Sequence, residues 1–177
     1  MVNAMDRVGN FPPQKGLEAF DFSFQPFIDQ PPMTAFVIRE FIKAFENIIF
    51  IGTSSVGKTY LTTVIGLSYG KDRVSTYFIK CHDLIQNLRR TRLENRLEYC
   101  LKHYRKYKIL LIDELGYLQI SDENARLFFQ LVDRCYEKKS AIITTNIDFR
   151  QWGEEIFRKP KIANAILDRL LPMSSPE

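Results

Sequence analysis

Eight consecutive residues, Gly52-Thr53-Ser54-Ser55-Val56-Gly57-Lys58-Thr59, have the types and spacing needed to hold a polyphosphate. Gly52 and Gly57 let the backbone turn closely around phosphates, Lys58 brings positive charge to the terminal ones, and the Thr59 hydroxyl is suited to ligate Mg2+. Tyr60 carries the chain out of the loop. A second pair, Asp113 and Glu114, closes an apolar run from Ile109 to Ile112. Asp113 is placed to hold Mg2+ opposite Thr59, directly or through water, while Glu114 is placed to orient and polarise the water that attacks a γ-phosphate. Asn146 ends a further run, Ala141 to Thr145, from which it reaches a γ-phosphate or the attacking water. The ligands these residues call for are a polyphosphate and Mg2+.

Such groups must be delivered by a particular scaffold. Ile48 to Ile51 is wholly apolar, as a strand buried on both faces requires, and Leu61, Val64, Ile65 and Leu67 after the loop continue as a helix. Strand, glycine-bounded loop and helix in that order give the loop N–H groups and the helix N-terminus a common anionic target. Strands are expected near 48–51, 74–79, 109–113 and 141–145, a parallel α/β sheet with ligands at the carboxyl ends of its strands. Gly70 to Arg73 reads as a turn. Leu84, Ile85 and Leu88 mark one helical face, and Leu93, Leu97, Leu101 and Tyr104 mark another out of phase with it, which predicts two helices broken between Arg89 and Glu94. Ser121 is an N-cap with Asp122 and Glu123 behind it, Trp152-Gly153 closes a loop, and Pro160 opens a last helix that Pro172 stops.

Composition bounds the rest. With 45% hydrophobic and 26% charged residues in 177, the chain carries material for one domain. Three widely spaced cysteines and two histidines argue against a disulfide framework or a metal cluster. No leader and no apolar run of membrane-spanning length is present, so the expected location is cytoplasmic. The net charge of +4 is modest, but Arg89, Arg90, Arg92, Arg96, Lys102, Arg105, Lys106 and Lys108 stand against only Glu94 and Glu98 in one stretch. Duplex DNA, held largely without sequence preference through Arg89, Arg90, Arg92 and Arg96, is the partner this excess fits; an exposed solvated helix face is the alternative. Residues 1–34, with Pro12, Pro13, Pro26, Pro31 and Pro32 among Phe11, Phe20, Phe22, Phe24 and Phe27, read as an arm or linker. Its phenylalanines either fill a surface groove or lie near a nucleotide base. Residues 35–171 read as the domain that carries the phosphate loop, with helical spacing from Thr34 to Phe45, and 172–177 as a disordered tail.

The segments GTSSVGKT, ILLIDELGYL, ITTN, WGEEIF and AILDRLL, with FDFSFQPFID ahead of them, occur in the order and at the spacing of the IstB-like branch of AAA+ ATPases, which the chain resembles from about Phe20 to Leu171. That resemblance implies a three-layer P-loop NTPase fold. It also implies an ATPase that forms ATP-dependent homo-oligomers on DNA and regulates or targets a transposase, or, in the more distant DnaC-type branch, delivers a replicative helicase. It makes Lys58 and Thr59 Walker A, Asp113 and Glu114 Walker B and Asn146 sensor 1. Arg169 matches an arginine that acts across a subunit interface, with a salt bridge to Asp168 or a neighbour as the other reading. Relatives extend further at both ends, so a chain truncated at both ends and lacking the last sheet strand is expected. The implied strand order, 5-1-4-3-2, then leaves the P-loop strand at a sheet edge. A non-catalytic ATP-dependent scaffold, a truncated remnant and a small-molecule kinase remain as other classes of function.

Overall fold

The computed structural model describes residues 8–9, 40, 42–53, 57–71 and 73–171. Most of the arm, Ser54, Ser55, Val56 and the 172–177 tail lie outside the described residues. Among the described residues, five parallel strands make one sheet: β1 (Val8–Gly9), β2 (Ile48–Ile51), β3 (Thr76–Lys80), β4 (Ile109–Leu115) and β5 (Ser140–Thr145), in the spatial order β1-β3-β4-β5-β2. The helices are α1 (Lys58–Lys71), α2 (Cys81–Leu93), α3 (Leu97–Arg105), α4 (Asp122–Cys135) and α5 (Pro160–Leu170).

Side-chain alternation along the strands assigns the layers. Phe78, Ile109, Leu111 and Ile142 pack with Ile65 and Tyr69 of α1, with the half-buried Ile48 and Phe50 beside them. Their neighbours Ile79, Leu110, Ile112, Ala141 and Ile143 pack with Leu84, Leu88, Leu101, Phe128, Leu131 and Ile166 from α2 to α5. A sheet covered on both faces can be apolar at every position, which is why β4 opens with four buried aliphatic residues. The expected α/β sandwich of helix, parallel sheet and helix is what forms. Among the described residues β2 pairs only with β5 and occupies an edge, so Ile48 to Phe50 are half-buried and Ile51 is exposed, and the strand is not buried on both faces as its apolar run suggests. The other edge holds strand material that the proline-rich composition had concealed: Val8 and Gly9 pair with Thr76 and Tyr77. A Cβ on Gly9 would stand 2.5 Å from the Tyr77 ring, so glycine is what permits this approach.

Several boundaries differ from expectation for identifiable reasons. Helix α1 runs through Gly70 to Lys71, and the Val74 N–H bonds to the Tyr69 carbonyl, so β3 begins only at Thr76. Helix α2 passes through the predicted break and stops at Leu93, because the chain turns at Asn95, whose φ is +55°. Leu93 is thereby left exposed at the corner instead of lying on the buried face of α3. The expected loop at Trp152-Gly153 is a helical turn, Trp152–Ile156, built around a fully buried Trp152 whose Nε1–H donates to the Ile147 carbonyl at 3.0 Å. Ser121 caps α4 and Pro160 starts α5 as read. Cys81, Cys100 and Cys135 are free thiols, and among the described residues no grouping of His, Cys, Asp and Glu forms a metal cage. No helix among them is long and apolar enough to cross a membrane.

Candidate functional site at the carboxyl edge of the sheet

The alternation that builds the core also aims the first carboxylate. Ile109 and Leu111 face α1, so the next residue in phase, Asp113, points at the N-terminus of that helix, where Thr59 stands. Thr59 Oγ1 lies 3.0 and 2.9 Å from the two Asp113 carboxylate oxygens. Asp113 is only 1% exposed, and a charge so buried must be met by donors. A second hydroxyl meets it from β5: Thr144 Oγ1 donates to Asp113 Oδ1 at 2.5 Å.

Glu114 reaches the same cleft by breaking the alternation. Register is regular through Ile112 opposite Ile143 and resumes with Leu115 opposite Thr145, so Asp113 and Glu114 together oppose Thr144 in a β-bulge. Without the extra residue, Glu114 would follow Leu110 and Ile112 into the apolar layer under α2 to α5. With it, Leu115 takes that place fully buried, and Glu114 turns to the exposed rim at a φ of +62°. The Glu114 N–H, out of register with the ladder, donates to Thr144 Oγ1 at 2.9 Å. Gly116 follows at φ +86°, where an added Cβ would meet Ile156 Cδ1 at 2.8 Å.

Lys58, Thr59, Glu114, Tyr117, Thr144, Thr145 and Asn146 line one cleft of about 80 Å3 at the carboxyl ends of β4 and β5. The tertiary structure thus brings together Lys58, Thr59, Asp113, Glu114 and Asn146, which were singled out across nearly ninety residues of sequence. Lys58 Nζ donates to the carbonyls of Gly52 and Thr53, and Gly57 turns the loop at φ +76°. Burial lowers the Lys58 pKa while the nearby Asp113 charge raises it. The Gly52 N–H bonds to the Thr145 carbonyl at 3.1 Å, extending the β2–β5 ladder to the mouth of the loop. Tyr60 lies in the first turn of α1. Hydroxyl and carboxylate oxygens set against each other are the hard donors that Mg2+ takes when phosphates and waters complete its shell. The residues present fit that ion.

Sequence reasoning passed over three residues here. Lys80, the last residue of β3, holds Glu114 in an ion pair at 3.1 Å, and this hydrogen bond raises the Lys80 pKa. Its place at a strand's carboxyl end was a usable signal. Thr144 reads from sequence as an ordinary β-branched strand residue, and nothing in its neighbours marks it. Tyr117, 70% exposed at the rim, follows the Asp-Glu pair closely enough to have been noticed.

Other sequence-selected residues lie elsewhere. Arg169 sits at the C-terminal end of α5, which Asn47 ties to the amino ends of the strands by donating to the Leu170 carbonyl at 3.1 Å and accepting from the Ala141 N–H. At about 3.3 Å per residue, the length of β5 puts it roughly 15 Å or more from the cleft. Its guanidinium is engaged by Asp133, at 2.8 Å from Nε, and stands 4.9 Å from the centre of the Tyr136 ring. Arg89, Arg90, Arg92 and Arg96 are all exposed around the α2–α3 corner. Part of their charge is met locally, Arg92 by Glu123 at 3.9 Å and Arg96 by Glu94 at 3.6 Å. Lys108 is separated from them by the length of α3 and joins Lys43, Lys138 and Lys139 around a cleft floored by Ile42, Phe45, Tyr69 and Val74. The single basic run of the sequence is therefore two surfaces.

Known proteins resemble this chain in sequence and in fold. The chain is 56% identical over 171 residues to the ATP-binding protein of insertion sequence IS232 from Bacillus thuringiensis subsp. berliner, covering 97% of this chain and 68% of that one. It is 38% identical to the ATP-binding protein of IS5376 from Geobacillus stearothermophilus (96% and 67% covered) and 41% identical to that of IS21 from Pseudomonas aeruginosa (91% and 60%). The chain thus spans about two thirds of these relatives' length. In fold it is similar to DnaI, with a TM-score of 0.71 at 20% identity over 94% of this chain and 96% of that one. It is likewise similar to the DnaC helicase loader (0.64, 24%, covering 85% and 94%) and to AMPPCP-bound DnaA from Aquifex aeolicus (0.68, 17%, covering 92% and 50%). Residues 1–175 match the family described as IstB-like ATP binding protein, and on that match, its relatives and its P-loop fold the chain belongs to this family.

Proposed function

We propose that this chain binds and hydrolyses ATP as the nucleotide-driven helper of an insertion sequence, assembling on DNA and regulating or targeting a transposase. One observation carries the reading: Thr59 and the adjacent Asp113 and Glu114, from two distant parts of the sequence, meet at the cleft that also holds Lys58 and Asn146. The relatives named as insertion-sequence ATP-binding proteins support the biological setting, and the fold alone supports a helicase-loading role.

In this reading Lys58 leaves the Gly52 and Thr53 carbonyls for the β- and γ-phosphates, and the loop N–H groups bind the remaining oxygens. Thr59 and Asp113 hold Mg2+, which when bound draws charge from the phosphate oxygens. Glu114 orients the attacking water and takes its proton, while Asn146 holds that water or the γ-phosphate from the opposite wall. Arg89, Arg90, Arg92 and Arg96 meet DNA phosphates. Arg169 serves a neighbouring copy, since its own cleft is a strand's length away.

Phosphate release measured with and without duplex DNA, against Lys58→Ala as blank, tests the proposal. Release above the blank, raised by DNA, is expected. Tight ATP binding with no release would leave an ATP-dependent scaffold in its place, and phosphate passed to an acceptor other than water would make the chain a kinase.

A further inference from the structure

We infer that Thr144 is a positioning residue, whose one hydroxyl ties the Asp113 carboxylate to the Glu114 backbone and so sets the spacing of the two acidic groups. The inference rests on the hydrolytic reading above for its catalytic consequence, though not for its geometry.

The bulge creates the need. It gives Glu114 an exposed position at the rim but removes its N–H from the β4–β5 ladder, and an unpaired amide at the base of a cleft is costly. Asp113 beside it is almost wholly buried, and among the described residues the hydrogen bond it receives from the α1 side comes from Thr59, with the Lys58 charge nearby. A hydroxyl has one proton to give and lone pairs to accept with. Thr144 gives its proton to Asp113 Oδ1 and accepts the Glu114 N–H, so both deficits are met by one atom. The first bond fixes the Asp113 carboxylate from the β5 side, across from Thr59, whose hydroxyl reaches both of its oxygens. The second bond holds the left-handed turn at Glu114, which is what lifts its side chain out of the apolar layer. Thr144 itself is 2% exposed and pairs in register with Phe50 of β2 on its other side, so the hydroxyl is held by two ladders and has little freedom to turn away. Valine has the same shape and neither function; serine has both functions with less packing.

Three variants decide the matter: Thr144→Val, Thr144→Ser and, should the valine protein fail to fold, Thr144→Ala. The first readout needs no nucleotide. Amide hydrogen exchange at Glu114 is expected to quicken at least tenfold in Thr144→Val and to stay within about threefold of wild type in Thr144→Ser. The second separates steps: kcat for ATP should fall by tenfold or more in Thr144→Val, while nucleotide affinity measured in EDTA stays within about threefold, and Thr144→Ser should recover most of the rate. An unchanged Glu114 amide and unchanged kcat in Thr144→Val would overturn the inference, as would a serine variant as impaired as the valine one, since packing and not the hydroxyl would then be the cause. If wild type releases no phosphate, the hydrolytic reading fails separately, and the Glu114 exchange still decides whether the hydroxyl holds the bulge.

Discussion

On the proposed function, exchanging Lys58 and Glu114 one at a time should separate binding from chemistry, because the two side chains would meet ATP differently. Lys58 would make hydrogen bonds to phosphate in which both partners are charged, each worth about 1.5–3 kcal/mol. Lys58→Ala should therefore weaken ATP binding by roughly 10- to 150-fold. Glu114→Gln keeps the side-chain length, keeps the backbone N–H bonded to Thr144 and asks glutamine for the same left-handed turn. It removes a proton acceptor, so kcat should fall by roughly 10²- to 10⁴-fold with affinity nearly unchanged. Stability should barely respond. The Glu114–Lys80 pair that Gln weakens is about half exposed, at 42% and 52%, which limits it to about 0.2–1 kcal/mol. At about 2–4 °C per kcal/mol for a chain of this size, Tm should drop by less than about 4 °C. Anisotropy of a fluorescent ATP analogue reads affinity, coupled phosphate detection reads kcat, and a thermal melt guards against misfolding. An equal loss of ATP affinity in both variants, with melts intact, would refute the assignment of charge to one residue and water activation to the other.

Three further outcomes follow from other parts of the molecule. Reversing Arg89, Arg90 and Arg92 to Glu should weaken binding to unrelated duplexes alike and flatten the salt dependence by about 0.9 in log–log slope per lost phosphate contact; an unchanged slope would take the α2–α3 corner out of the interface. Trp152→Ala removes a fully buried ring and its bond to Ile147, and should cost about 3–5 kcal/mol, seen as a Tm lower by roughly 6–20 °C; a drop under 2 °C would contradict its place in the core. Burial pushes the Cys81 thiol up to about 12 and Cys135 up to about 11, above the unfolded value of about 8.5. The folded chain thus retains protons that the unfolded chain releases, so stability should decline as pH rises from about 8.5 towards 12, and a brief maleimide pulse at pH 8 should leave both thiols unmodified. Rapid labelling of Cys81 without unfolding would contradict that burial.

Much of the site was legible before folding because its chemistry sits on contiguous residues. A phosphate loop is a local object: Gly52 to Thr59 reads as a turn between an apolar strand and a helix, and the adjacent residues state all three requirements. Asp113 and Glu114 were legible for a similar reason, since four aliphatic residues in a row demand a strand covered on both faces and the next two must emerge at its end. The layers of the sandwich came from the family resemblance, and the alternation along the strands assigned side chains to them only once the sheet was formed. Where the reading slipped, the deciding contact was distant or the signal weak. The α2 break lies at Asn95, where the backbone turns at φ +55°, and not where the apolar phase changes, and the Val8–Gly9 pairing depends on space beside Tyr77 that no local pattern records.

Only the tertiary structure could name Thr144 or Lys80. Thr144 matters because ladder register sets it opposite a bulge about thirty residues earlier in the chain, and Lys80 because β3 lies beside β4 and not because of anything adjacent to it. The bulge itself is invisible in sequence: Leu115 and Glu114 exchange faces through one backbone turn that any hydrophobic pattern would read as plain alternation. The same holds for the division of the basic run, which α3 spreads over two surfaces. Residue types and their spacing along the chain therefore determined which chemistry is present, and the pairing of strands decided which groups act on one another, because register between distant segments is a property of the packed sheet and not of either segment alone.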